Sequence, residues 1–271
     1  MCQYKKKRIK AYLANSGRLS ELLLPHKKIY LLKDQKRFRV LATEKYGYPV
    51  VLDTSLSNRI AGYLIESGAV PNFKNAKIIS SEVKIGRSRF DLLLENKNKR
   101  IVLEVKTCTL FNKRLAMFPD AKTERGRRQL EDLVKLSQNG TKGAILFLVH
   151  SYFPYLFLPN YHTDLDFSLT LLNSRKKIKI IALGLFWDKD FSLKKFKILK
   201  IPWRILRREA KDGGSYLLIL ELRKNTKIEV GSLGIVSFPK GFYIYVGKAE
   251  KNLLKRVSRH KRKLKKKHWH I

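Results

Sequence analysis

Asp91, Glu104 and Lys106 put two carboxylates and an ammonium into an otherwise apolar stretch, FDLLLENKNKRIVLEVK at positions 90–106. Such a trio can hold a divalent cation through hard oxygen donors and set a positive charge beside a phosphate under attack. The polar NKNK at 96–99, between two strand-like runs, reads as the turn of a β-hairpin. With Lys97 and Asn98 as the two-residue loop, Leu94 pairs with Ile101, Leu92 with Leu103 and Phe90 with Val105 on an apolar face. The other face pairs Glu95 with Arg100, Leu93 with Val102, Asp91 with Glu104 and Arg89 with Lys106. A slip by one residue sets apolar side chains against charged ones, so the pattern itself selects this register.

In that register the carboxylates of Asp91 and Glu104 lie opposite each other, their Cβ atoms roughly 4.5–5.5 Å apart. At that separation and an effective dielectric near 20 they repel by about 3 kcal/mol, unless a cation or a proton relieves them. Lys106 follows Glu104 by two residues and so shares its face. The two carboxylates and the carbonyl of Val105 suit Mg2+ (or Mn2+), which takes one or two carboxylates and keeps several waters. The same residues also fit a half-exposed hairpin in which Lys106 simply neutralises Glu104.

Flanking segments supply the supports. SLSNRIAGYLIESGAV, with Leu56, Ile60, Leu64 and Ile65 at helical spacing and Gly68 past the end, predicts a helix. IISSEVKIG predicts a strand that reaches the hairpin through GRSR, where Arg87 and Arg89 are candidate phosphate contacts and Glu82 is a further nearby acid. PDAKTERGRRQLEDLVKLSQNG predicts a second helix, with Thr123 near its N-cap and Gly140 at its end. Arg125, Arg127 and Arg128 crowd its first turns, where the helix dipole disfavours cations. A bound phosphate would compensate Arg125 and Arg128, as would Asp120 and Glu124. GAILFLVH predicts a buried strand, and KIKIIALGLFW and KFKILKIPWRI predict two more. Before these, the runs IYLL, FRVLATE and YPVVLD predict short strands, and NSGRL a turn whose Gly17 permits positive φ. Asn15 and Arg18 in that turn could present donors to a phosphate, and Tyr46 and Tyr48 could stack on bases.

With 59 Lys plus Arg against 22 Asp plus Glu, the 271-residue chain carries a formal net charge of +37, which points to a polyanion, DNA and/or RNA, as partner. The most apolar stretch, AILFLVHSYFPYLFLP, is interrupted by His150, Ser151 and Pro154, so no membrane span is expected, and no amino-terminal h-region precedes it. A cytoplasmic location is expected. The two cysteines, Cys2 and Cys108, provide neither a disulfide framework nor a zinc cluster. No small-molecule cofactor beyond the metal is called for.

Several blocks in order, AYLANSGRLSELLLP, LSNRIAGYLIESG, RFDLLLENKNKRIVLEVKTCTL, MFPDAKTERGRRQLEDL and LPNYHTDLDF, resemble the sugar fermentation stimulation protein A (SfsA) family over about residues 12–202. The resemblance implies an α/β protein: an OB-like β-barrel that binds nucleic acid (1–54), then a PD-(D/E)XK nuclease-like domain (55–205). It places Asp91, Glu104 and Lys106 at the catalytic triad and offers Glu66, on the preceding helix, as a further metal ligand. The chain departs from the family at Tyr12 and Ala14, where a histidine and a proline are usual. After KDGG at 211–214, residues 213–271 resemble a small α+β GIY-YIG-like module (DUF123-type). Tyr216 and the YVG of Tyr245 stand at its two tyrosine motifs, and Arg256 and His260 on its helix. The glutamate of active GIY-YIG enzymes has no counterpart, so the module is expected to be incomplete and to bind rather than cut. Residues 251–271 hold ten Lys or Arg and no Asp or Glu, an electrostatic clamp.

These readings converge on a nucleic-acid-binding protein that hydrolyses phosphodiester bonds with a metal ion. Two alternatives share its charge. One is a non-catalytic DNA-binding regulator of sugar metabolism genes on a nuclease scaffold, and the other a structural RNA- or ribosome-associated protein.

Overall fold

The computed structural model describes residues 1–34 and 37–262. The predicted hairpin forms as strands Ser88–Asn96 and Lys99–Cys108, with Asn96 paired to Lys99 across the Lys97–Asn98 loop. Both loop residues have positive φ, 50° and 60°, the turn whose twist matches that of the flanking strands. The hairpin sits inside a six-stranded mixed sheet, ordered Leu193–Ile198, Lys179–Trp187, Lys142–Val149, Lys99–Cys108, Ser88–Asn96, Lys77–Ile85. Lys99–Cys108, Lys142–Val149 and Lys179–Trp187 run parallel, and the other pairings are antiparallel.

Both faces of the sheet are covered, so Gly143 to Val149 can be an unbroken buried run. Helix Ser57–Glu66 packs Ala61, Leu64 and Ile65 on one face, against Leu92, Leu94, Leu103 and Leu146. On the other, helices Glu124–Gln138 and Leu165–Ser174 bring Leu130, Leu133, Phe167 and Leu171 to Val102, Ile145 and Phe147. Helix Leu165–Ser174 had no counterpart among the predicted elements; its start is fixed by Asp164, whose carboxylate accepts from the Phe167 N–H at 3.0 Å. The strand expected through PWRI ends at Ile198, and Trp203–Glu209 is a helix entered from Pro202, with Arg207 and Arg208 in its last turn, where the dipole favours cations.

The amino-terminal strands do not close into the expected OB-like barrel among the described residues. Arg37–Lys45 pairs with Ala11–Tyr12, Ile29–Asp34 and Tyr48–Val51, while Cys2–Tyr4 and Lys7–Ile9 pair only with each other. Ala11–Tyr12 offers just two ladder positions, too few to carry the sheet round. Leu19, Leu22, Val40 and Leu52 from this region enter the same core as Phe90 and Val102. Residues 1–54 and 55–205 accordingly lie in one compact unit, Met1–Ala210.

A second unit, Lys211–Ile271, is built on strands Gly214–Leu222 and Gly241–Ala249, the small hairpin Thr226–Glu229 with Ile235–Phe238, and helix Leu253–Lys261. The last nine residues of the basic tail lie outside the described residues. No described helix is long and apolar enough to cross a membrane.

Candidate active site

The ladder of the central hairpin runs from Asn96–Lys99 to Leu92–Leu103 and stops where the acidic residues begin. The expected Asp91–Glu104, Phe90–Val105 and Arg89–Lys106 pairs do not continue it. Instead, Asp91 inserts its carboxylate: Oδ2 accepts the Val105 N–H at 2.7 Å, replacing the main-chain partner that strand divergence removes. Phe90 leaves the cluster of Leu92 and Leu94 and joins that of Val102, Leu130 and Leu133. The break opens a cavity of about 520 Å³, whose walls include Asp91, Glu104, Lys106, Thr107, Ser57 and Arg125.

Glu104 is 4% exposed and partnered on one side only. The Lys106 Nζ donates to its Oε1 at 2.6 Å, whereas Oε2 is buried without a hydrogen-bond partner. Burial, reinforced by the negative charge of Asp91, pushes the Glu104 carboxyl up to about 7 in spite of Lys106 and the more distant Arg125. A buried acceptor left open beside a second carboxylate is a position that a cation, or a proton, would satisfy.

Lys106 is held from the helix side as well. Its Nζ donates to Gln129 Oε1 at 2.9 Å, and Gln129 Nε2 donates to the Arg89 carbonyl at 3.0 Å. Gln129, 2% exposed, fixes the ammonium and ties helix Glu124–Gln138 to the hairpin. It was not among the sequence candidates, although it follows Arg125 by four residues and so shares that helix face. The same helix is capped by Thr123, whose hydroxyl accepts the Gly126 N–H at 3.1 Å.

The other sequence candidates separate. Glu66 is exposed at the far end of helix Ser57–Glu66, about 13 Å along the axis from Ser57, and does not line the cavity. The start of that helix faces the cavity with Ser57 and Asn58, and the Ser57 hydroxyl lies 2.5 Å from that of Thr107. Glu82 lines the cavity and is ion-paired to Arg89 at 3.4 Å on the surface. Asn15 also lines it, but its amide is spent on structure: Nδ2 donates to the Leu52 carbonyl and Oδ1 accepts the Gly17 N–H, both at 2.8 Å. Gly17 is required for close approach rather than positive φ, since a Cβ there would fall 2.6 Å from Asp120 Oδ2. Arg125 lines the cavity; Arg18, Arg87 and Arg128 are exposed elsewhere on the unit.

In the second unit Tyr216, Tyr245, Arg256 and His260 do come together. The Tyr216 hydroxyl lies 3.0 Å from His260 Nε2 and accepts from Arg256 Nε at 3.2 Å. The Tyr245 ring is 6.3 Å from Tyr216 and 5.6 Å from His260, centroid to centroid. Tyr216 pairs with Gly247 across the ladder, and a Cβ at 247 would fall 2.3 Å from the tyrosine ring.

The first unit is thus a mixed α/β unit in which two carboxylates and a lysine line one cavity where the central hairpin splays. Comparison with known proteins shows the family. Residues 55–191 match the family model described as the sugar fermentation stimulation protein RE domain, and residues 215–271 match the domain of unknown function DUF123. The sugar fermentation stimulation protein homolog of Methanothermobacter thermautotrophicus is 39% identical over 184 residues, 66% of this chain and 77% of that protein. The homolog of Methanosphaera stadtmanae is 34% identical over 207 residues, 72% of this chain and 86% of its own length. The solved structure of Pyrococcus furiosus SfsA in complex with Ca2+ superposes with a TM-score of 0.66 at 28% identity, covering 70% of this chain and 84% of that one. The chain belongs to the sugar fermentation stimulation protein (SfsA) family.

Proposed function

We propose that this chain is a metal-dependent phosphodiester hydrolase acting on DNA or RNA at the cavity between the central hairpin and helix Glu124–Gln138. The observation that carries this reading is the buried, unpartnered Oε2 of Glu104 beside Asp91 and Lys106. No group of three or more His, Cys, Asp or Glu that could hold a metal occurs among the described residues. Two carboxylates are the donor set that Mg2+ or Mn2+ takes when it keeps several waters. That the P. furiosus relative was solved with Ca2+, another oxygen-seeking cation, supports this choice.

Glu104 and Asp91 are the residues that would hold the ion, with the Val105 carbonyl between Glu104 and Lys106. When bound, such an ion acts as a Lewis acid on a phosphoryl oxygen and lowers the pKa of water. Lys106 is positioned by Gln129 to stabilise the charge that develops on an attacked phosphate. Arg125 at the wall and the capped helix start provide fixed positive potential for the backbone. The second unit serves as a nucleic-acid-binding accessory through Arg256 and its basic helix.

The non-catalytic regulator of sugar metabolism genes is the second reading. It is favoured by the fact that Lys106 already neutralises Glu104 within the chain. Incubating wild type and Asp91→Ala/Lys106→Ala with labelled DNA and RNA, in magnesium or chelator, separates the two. The hydrolase reading requires magnesium-dependent cleavage that the double variant lacks while still binding. Binding by wild type without cleavage, in magnesium and in manganese, leaves the regulator.

A further inference from the structure

A cluster of aromatic rings lies beyond the carboxyl end of strand Lys99–Cys108. Tyr46 sits against Phe153 at 5.4 Å between centroids, Tyr48 against Phe153 at 5.9 Å and against Phe186 at 4.9 Å. Tyr46 and Phe153 remain 39% and 36% exposed, so the cluster is not closed over as a core would be. Three lysines attend it: Lys45 and Lys113 each place Nζ 5.6 Å from the Tyr46 ring centre, and Lys197 lies 4.3 Å from that of Tyr152.

Two of these ammonium groups are placed by hydrogen bonds. The Lys45 Nζ donates to the Phe111 carbonyl at 2.6 Å and to the Glu21 carboxylate at 3.3 Å, an acid that a bound phosphate would have to compete with, and Lys197 Nζ donates to the Phe153 carbonyl at 3.5 Å. Tyr46 and Tyr48 flank Gly47, whose φ of 81° makes the turn that presents both rings. Exposed aromatic faces interleaved with fixed cations match a ligand that alternates flat π-systems with negative charge. A duplex hides its base faces in the stack, whereas a single strand offers them. Along the chain the patch is near the proposed active site: Lys106 and Thr109 line the cavity, and the buried Phe111, two residues past Thr109, lies 6.4 Å from Tyr46, ring centre to ring centre. Lys106 to Phe111 spans at most about 17 Å of extended chain.

We propose that Tyr46, Tyr48 and Phe153, with Lys45, Lys113 and Lys197, form a stacking platform for single-stranded nucleic acid that leads the strand to the cavity of Asp91, Glu104 and Lys106. Delivery to that cavity rests on the hydrolase reading; binding at the platform does not.

The test is fluorescence anisotropy in chelator, where no metal-dependent cleavage intervenes. Oligo-dT, oligo-rU and a duplex of equal length are the probes, with wild type, Tyr46→Ala/Phe153→Ala and Tyr46→Leu/Phe153→Leu. The leucine pair keeps apolar bulk while removing the π-faces, and thermal melting identifies any variant that fails to fold. Both folded variants should lose affinity for the single strands by about tenfold or more, with duplex affinity changed less than about twofold. Unequal loss for oligo-dT and oligo-rU would identify the preferred strand. Unchanged single-strand binding by a folded variant overturns the platform, as does a parallel loss on the duplex or equal competition by polyglutamate. Cleavage by wild type is a separate readout, so failure of the platform and failure of the hydrolase reading are distinguishable.

Discussion

At Glu104 burial and charge oppose each other within the cavity. Its carboxyl sits at about 7 against an ordinary 4.5 because burial outweighs the ammonium 2.6 Å away. A carboxyl whose folded pKa lies above its unfolded value contributes stability that is complete below about pH 4.5 and is lost as pH rises through about 7. At pH 8 the metal-free chain therefore holds a destabilisation on the order of 3 kcal/mol at this one group. Glu104→Gln, a neutral mimic of the protonated form, should raise the Tm in chelator at pH 8 and lose that advantage near pH 4.5. Added manganese should raise the Tm of wild type but not of the variant. At this scale the sequence was legible for a physical reason: a charged residue inside an apolar strand is rare enough to demand a partner. The same reasoning could not show that Asp91 would turn to the Val105 N–H, because that follows from where the two strands part. Nor could it show that Glu66 would point away, since one helix stripe does not reveal which end meets the sheet.

At the scale of elements, helix Glu124–Gln138 is the part on which the geometry most depends, because it brings Gln129 to the Lys106 ammonium and Arg125 to the cavity wall. Thr123 caps it and is itself held by the Asp164 carboxylate, which accepts the Thr123 N–H at 2.8 Å. Thr123→Ala should lower stability by about 1 kcal/mol in urea unfolding, with no change in the slope of the transition. The hairpin and this helix were readable from local signals alone, a two-residue loop, an N-cap and a terminal Gly140 with φ of 85°. The barrel was not, since closure is decided by which strands pair across sequence, and Cys2–Tyr4 found Lys7–Ile9 instead of a distant edge. Helix Leu165–Ser174 escaped for a related reason: it is apolar on several sides because it is buried, so no clean stripe marks it.

For the whole molecule, the formal charge of +37 makes nucleic-acid affinity steeply dependent on salt whichever strand is preferred. The logarithm of affinity should fall linearly with that of salt concentration, and Arg125→Ala should reduce the slope by about one if the wall contacts one phosphate. An unchanged slope would remove Arg125 from the binding surface. Net charge was plain in the sequence but shared by every rival, so it names the class of partner and not the reaction. The reaction turns on whether the carboxylates at the splayed hairpin serve hydrolysis. The most direct measurement is single-turnover cleavage of an end-labelled oligonucleotide at pH 8 by wild type and Glu104→Gln, with the bound fraction read in the same samples. The expected result is cleavage by wild type in magnesium and none in chelator, with a loss of about a hundredfold or more in the variant at equal binding. Equal rates for the two proteins, rates indifferent to chelator, or no cleavage by wild type in magnesium or manganese would contradict it.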